Sequence, residues 1–282
     1  MAIELIAFLF GTVIGSFLNV CIHRIPEGES IVFPPSHCPN CKNKIKPQHN
    51  IPILSYLFLK GKCFFCGNKI SVIYPLTELI AGIFTFLLFI KFGFSVEFIF
   101  YLILFSSLIV ITFIDLKHMI IPNVISLPGI LVGLLFNVIR TDWSGFLNLL
   151  SDINSYNMFK IISQTPVLNS ITGIIVGGGI FLLIFLLISF VYKLIRKVEG
   201  LGMGDVKLLA MLGAFLGPSG VFYIIFISSF VGTIVGLSYI VYKKGDMKYA
   251  MPYGPFLSAA GMLYVFTGGL SFIFSFINTN NF

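Results

Sequence analysis

Charge is what this 282-residue chain has least of: 10% of its residues are charged, and 18 Lys and Arg stand against 11 Asp and Glu. A soluble domain of this length carries roughly 25% charged residues, so an ordinary water-soluble globule is excluded. Cysteine is scarce as well, and five in the whole chain exclude a disulfide-stapled secreted scaffold. The start, Met1-Ala2-Ile3-Glu4, has no basic segment, and no small-residue cleavage site follows it. The first apolar block is therefore read as a retained helix rather than a signal peptide. Apolar residues are abundant, at 57% of the chain with a mean hydropathy of +1.00. They fall in nearly uncharged blocks of about 20 residues, each long enough to cross a bilayer. The net charge of +7 is read as a record of membrane topology, and no nucleic-acid partner is expected.

Eight spans are expected, at about 3–22, 76–92, 96–114, 119–139, 171–195, 206–216, 221–242 and 256–277, the sixth being short. The expected fold is an all-α polytopic membrane protein carrying a small cytoplasmic loop domain. Its expected divisions are a first helix (1–23), a metal-binding loop (24–75) and a membrane core (76–282). The loop holds Arg24, Lys42, Lys44, Lys46, Lys60, Lys62 and Lys69 against Glu27 and Glu29. Basic loops stay in the cytoplasm, which puts the N-terminus outside. Threading eight spans leaves Lys117, Lys193, Arg196, Lys197, Lys207, Lys243, Lys244 and Lys248 inside, with only Lys91, Arg140 and Lys160 outside. The glycine pairs Gly11/Gly15 and Gly173/Gly177 have the small-xxx-small spacing that lets membrane helices approach closely. The run Gly177-Gly178-Gly179 lies inside an apolar span without a preceding strand, so it reads as packing rather than a phosphate loop.

The loop contains Cys38-Pro-Asn-Cys41 and Cys63-Phe-Phe-Cys66. A CxxC turn points two thiolates at one place, and two such turns complete a tetrahedral shell. Zinc suits that shell because it is soft enough for thiolate and redox-silent. With all four positions filled by protein, the expected metal is structural, folding a loop too polar to build its own core. Disulfides, a redox pair or an iron–sulfur site are the alternatives, and the cytoplasmic side argues against the first. Cys21 reads as a packed small hydrophobe, and His37 as a solvated neighbour or substitute ligand.

Acidic side chains at the edges of membrane spans are costly and so mark functional candidates. Asp115 ends the third span, and Asp205 opens the sixth within Gly202-Met-Gly204-Asp-Val-Lys207. The threading sets both at the cytoplasmic interface. Two carboxylates that share a proton can hydrolyse a peptide bond, one activating water and the other protonating the carbonyl or leaving amine. Gly202 and Gly204 offer backbone able to lie close to an extended substrate. Lys207 either tunes the pair, binds the substrate's carbonyl or records topology. Each aspartate also has a structural reading: Asp115 pairing with Lys117 or His118, Asp205 capping a helix.

Taken together these residues resemble the bacterial type IV prepilin peptidases. The likeness runs through Gly15-Ser-Phe-Leu-Asn-Val20, Arg24-Ile-Pro26, the two CxxC pairs around Asn50-Ile-Pro-Ile-Leu-Ser-Tyr56, and Tyr74-Pro-Leu-Thr-Glu78. It continues through Ile114-Asp115, Ile121-Pro122, Gly202-Met-Gly-Asp-Val-Lys-Leu208 and Pro252-Tyr-Gly-Pro-Phe256. The resemblance implies a bacterial inner-membrane aspartic endopeptidase with Asp115 and Asp205 as catalytic pair and zinc on the cysteines. It implies cleavage of basic leaders from type IV prepilins or secretion pseudopilins, and N-methylation of the new terminus from S-adenosylmethionine. Glu78 is the residue set against that second activity; its other reading is an acid suited to a helix start. Three positions depart from the family pattern, namely Ile73, Lys117 and Asn123, and Ile73 falls in the part associated with methyl transfer. The rival of another class is a transporter using Asp115 and Asp205 as ion sites, which calls for carboxylates nearer mid-bilayer.

Overall fold

A computed structural model describes residues 2–141, 165–180, 202–243 and 251–268. The basic residues Lys160, Lys193, Arg196, Lys197, Lys244 and Lys248, most of the 140–170 segment, and the ends of the fifth and eighth expected spans lie outside the described residues. Among the described residues there are helices and isolated bridges but no strand. The helices are α1 (Ala2–Arg24), α2 (Leu54–Phe58), α3 (Ile73–Phe92), α4 (Val96–His118), α5 (Asn123–Arg140), α6 (Pro166–Ile174), α7 (Met203–Lys243) and α8 (Gly254–Thr267). Five of them (α1, α3, α4, α5 and α7) are long and apolar enough to cross a membrane, and shorter apolar helices include α8. The all-α polytopic class expected from the sequence is the one observed. The sixth and seventh expected spans are the two arms of α7. The chain divides into two compact units, 1–118 and 119–282.

In the first unit α1 lies along α3, and small residues set the distance between them. A Cβ at Gly15 would stand 2.6 Å from the Cα of Glu78, and one at Gly11 2.8 Å from the Ala81 carbonyl oxygen. Gly82 returns the favour from α3, its bare face lying against Thr12 and Phe8. Small residues let backbones approach to this depth, where dispersion must replace the hydrophobic effect that lipid does not supply. On the opposite face of α1, Ile6, Phe10, Val13 and Phe17 stand exposed at alternating spacings of four and three, one continuous helical stripe. Helix α4 buries Leu104, Leu108, Ile111 and Ile114 almost completely, completing the packing of this unit.

In the second unit α7 is central, and Leu208, Leu209, Met211 and Leu212 are fully buried. Gly173 of α6 packs directly on Gly213 of α7, and Gly177 on the Leu209 carbonyl. Gly177 belongs to a π-helical turn, Ile175–Ile180, that continues α6. Both glycine pairs thus do what their spacing predicts. Helix α7 is broken at Gly217, whose φ of 73° and ψ of −179° suit a residue without a Cβ. Pro218 follows, and it lacks the N–H that would bond the Ala214 carbonyl four residues back. That carbonyl accepts instead from Asn137 Nδ2 at 2.8 Å and Ser170 Oγ at 2.6 Å. Two helices on either side therefore repair the bond that proline removes.

A buried carbonyl without a partner costs about 1–3 kcal/mol. Replacing Asn137 and Ser170 together by Ala should lower stability by that order, and each single variant by less. Thermal unfolding in detergent measures it; additive, negligible losses would mean the carbonyl has another partner.

Candidate metal centre and carboxylate sites

The two CxxC turns are copies of one knuckle. In each, the first cysteine's N–H donates to an asparagine carbonyl: Cys38 to Asn43 at 3.0 Å and Cys63 to Asn68 at 2.8 Å. In each, the first cysteine's carbonyl accepts from the residue four on, Lys42 or Gly67, and both of those have positive φ (59° and 70°). Isolated antiparallel bridges close the copies, His37 with Lys44 and Lys62 with Lys69. The sequence carries this duplication as an eight-residue repeat, His-Cys-Pro-Asn-Cys-Lys-Asn-Lys against Lys-Cys-Phe-Phe-Cys-Gly-Asn-Lys, far shorter than the roughly 20 to 50 residues of a structural repeat.

The four sulfurs lie within 4.8 Å of one another, with Cys38 and Cys66 Sγ 3.9 Å apart. A tetrahedral shell with metal–sulfur bonds of about 2.3 Å has sulfur–sulfur edges of about 3.8 Å, so the donor set fits one metal ion with little movement. All four cysteines are free of disulfides. Burial acts to raise the Cys38 thiol, but N–H groups of Cys41 and Asn40 and the neighbouring thiols outweigh it and bring it down to about 7. Cys41 rises to about 11: the N–H of Asn43 acts to lower it, but partial burial and the proton it shares with Cys38, Cys66 and Cys63 win. The cluster is thus poised to give up its first proton near neutrality, as thiolate ligation of a metal requires. Cys21 is buried in α1, apart from this group. His37 turns its Nδ1 to the Pro35 carbonyl at 3.1 Å.

Glu78 is where the loop is fastened to the membrane helices. It is buried on α3, and its Oε2 accepts the Ile53 N–H at 2.7 Å, with the Ser16 hydroxyl of α1 beside the carboxylate. Ile53 has φ 61° and ψ −52°, and the Leu54 N–H donates to the Pro52 carbonyl at 2.6 Å. This is a γ-turn of the rare, strained hand, held on a β-branched residue that disfavours it. Asn19 donates from Nδ2 to the Tyr74 carbonyl at 3.1 Å, and His23 stacks on the Tyr74 ring at 5.0 Å. Polar side chains of α1 therefore line one end of its seam with α3. The resemblance singled out Glu78, whereas nothing in the sequence signalled Ile53.

The two aspartates are each described within its own unit. Asp115 sits in the last turn of α4 in the first unit and is 5% exposed. Asp205 sits in the first turn of α7 in the second unit and is 9% exposed. Its N–H donates to the Gly202 carbonyl at 3.0 Å. The bare face of Gly204 is occupied, since a Cβ there would meet the Ile121 Cβ at 2.9 Å. Close packing with the residues before α5 thus explains this glycine. Lys207, two residues past Asp205 and so on another face of the helix, donates to Asn123 Oδ1 at 2.8 Å. Asn123 is one of the positions that depart from the family pattern, and here it is the acceptor that fixes Lys207.

Helices long and apolar enough to cross a membrane, four cysteines placed to hold a metal ion, and a buried aspartate at the end of a helix in each unit define a polytopic membrane protein. Residues 9–92 match the bacterial peptidase A24 N-terminal domain, and residues 102–237 match the type IV leader peptidase family. Proteins called prepilin leader peptidase/N-methyltransferase are similar along almost the whole chain. That of Neisseria gonorrhoeae is 35% identical over 93% of this chain and 89% of its own length. Those of Aeromonas hydrophila and Pseudomonas putida are 32% and 31% identical over 93% of this chain and 90% of their own. No solved structure gives a significant match. The chain belongs to the type IV leader peptidase family.

Two outcomes test the sites. Protons compete with the metal for sulfur, so retention should weaken progressively as pH falls, since the metal-free thiols ionise only above about 7 at Cys38 and about 11 at Cys41. Metal release titrated against a chromophoric chelator measures this, and a pH-independent release would mean the thiolates are not the ligands. Gly204→Ala should overpack against Ile121 and destabilise by about 1–3 kcal/mol, with Gly204→Ala/Ile121→Ala recovering part of the loss in thermal unfolding.

Proposed function

We propose that this protein is a membrane-embedded aspartic endopeptidase that removes the leader of type IV prepilins or pseudopilins and N-methylates the new terminus. Membership of the leader peptidase family, with similarity extending over nearly the full length of the named relatives, carries the reading. Asp115 and Asp205 are the proposed catalytic pair. The substrate's apolar stretch enters the bilayer as a helix and leaves its basic leader in the cytoplasm, so the scissile bond comes to the interface. There the helix must unwind, because helical carbonyls are held in backbone bonds. One carboxylate takes a proton from water as it attacks the carbonyl, and the other protonates the leaving amine. Burial of both acids supports the assignment, since a low dielectric strengthens every charge interaction at the reacting centre. Gly202 and Gly204 shape the turn that presents Asp205, and Lys207, tied to Asn123, braces it.

Zinc is the metal we assign to Cys38, Cys41, Cys63 and Cys66, since an all-thiolate tetrahedral shell favours it. The resemblance implies S-adenosylmethionine as methyl donor. Glu78 serves that activity by holding the Ile53 turn on α3 rather than by presenting a free carboxylate. We place the protein in the bacterial inner membrane with its N-terminus outside and the cysteine loop and aspartates on the cytoplasmic side, as the distribution of basic residues supports. The roles divide as first helix (1–23), zinc loop (24–75) and peptidase core (76–282). The transporter reading draws no support from the family match.

Co-expression with a prepilin, followed by mass analysis of the pilin N-terminus, tests both activities. Asp115→Asn and Asp205→Asn should each abolish leader removal, a loss of at least about a thousandfold if proton transfer is essential, while the protein still inserts and holds metal. Processing retained by either variant removes that residue from the catalytic pair.

A further inference from the structure

Helix α2 is turned inside out. Its buried residue is the polar one, Ser55, at 9% exposure, while Leu54, Leu57 and Phe58 are 50%, 64% and 82% exposed. Positions 54, 57 and 58 share one helical face, so the loop presents a compact apolar surface outward where a water-facing helix would present a polar one. The loop that carries it is strongly cationic. Lys60 and Lys62 follow α2 directly and are exposed, as are Lys42, Lys44, Lys46 and Lys69. No acidic residue occurs between Glu29 and Glu78, and four thiolates around one divalent ion carry less charge than these six lysines.

The position of this surface says what covers it. Ile53, the residue immediately before α2, is bonded at 2.7 Å to Glu78 in the second turn of α3, a helix long and apolar enough to cross the membrane. The loop also leaves α1 at Arg24 and rejoins α3 at Ile73. The start of α2 is therefore held within one side chain's reach of the end of a membrane span, at headgroup level. An apolar face with a cationic border at that depth has the composition of an interfacial helix on anionic lipid. We propose that the face of α2 formed by Leu54, Leu57 and Phe58 inserts into the anionic lipid surface beside α3, with Lys60 and Lys62 on the headgroups, and seats the four-cysteine loop against the membrane. The inference rests on the first unit alone and stands whether or not Asp115 and Asp205 are the catalytic pair.

The test uses the full chain in phosphatidylethanolamine/phosphatidylglycerol vesicles. Trp143 is the only tryptophan, so Phe58→Trp in a Trp143→Phe background gives a single reporter. Docking predicts blue-shifted emission that is reduced by roughly half or more when bromine is carried high on the acyl chains, and less when it is carried at their ends. Emission as in water overturns the proposal. Blue-shifted emission untouched by brominated lipid overturns it too, because protein, a substrate helix or another part of the chain, then covers the face. Adding Lys60→Gln and Lys62→Gln should weaken quenching more in phosphatidylglycerol vesicles than in neutral phosphatidylcholine, and an equal effect in both rejects the charge contribution. Metal content reports that the loop is folded in each variant, and Leu57→Trp supplies an independent reporter if Phe58→Trp loses metal.

Discussion

Hydrocarbon offers no hydrogen-bond partner, and this constraint organises the molecule. Every polar group drawn into the bundle must find its partner in the protein or carry a cost of several kcal/mol. The Ala214 carbonyl shows one resolution. Pro218 leaves it unpaired within α7, and Asn137 and Ser170 reach in from α5 and α6 to bond it. The bend at Gly217 thereby becomes a junction joining three helices, not a defect in one. Glu78 shows another. Its carboxylate is buried and bonded to the Ile53 N–H, so satisfying the acid also fastens the cysteine loop to the spans.

The loop itself lacks the means to fold by burial. Between Arg24 and Ile73 it has one five-residue α-helix and few buried side chains, far from the core that a domain of its size needs. Two substitutes appear. Four sulfurs converge for one metal ion, whose binding energy is folding energy for such a module, and a buried carboxylate holds a strained turn at Ile53. Together they explain how a polar insertion keeps a defined position at the end of a membrane seam, and why its apolar residues are free to face outward.

Much of this was readable from residue order. Span positions followed from hydropathy because a bilayer imposes one length on every helix, and α1, α3, α4 and α5 begin and end within a few residues of expectation. The cysteine quartet followed from its spacing, because a metal shell demands few ligands in a narrow geometry. Gly11/Gly15 and Gly173/Gly177 were legible for the same reason, as a period of four places two small residues on one face. The contact of Gly204 with Ile121, the bond from Lys207 to Asn123 and the fastening of Ile53 to Glu78 were not legible. Each joins residues 25 to 84 positions apart with no pattern linking them. For Gly204 the sequence offered only an open face for substrate, and the Ile121 side chain against it appears only once the helices have packed.

Residue order by itself thus determined that the chain is a helical membrane protein with four cysteines spaced to hold a metal and two acids at helix ends, since length, hydropathy and local spacing answer to the solvent and to ligand geometry rather than to the rest of the fold. Tertiary structure decided which partner each buried polar group takes, that the loop is held to α3 through Ile53, and that α2 shows its apolar face outward. Those depend on which surfaces meet, and hydrogen bonds of fixed length between distant segments exist only once the helices have packed.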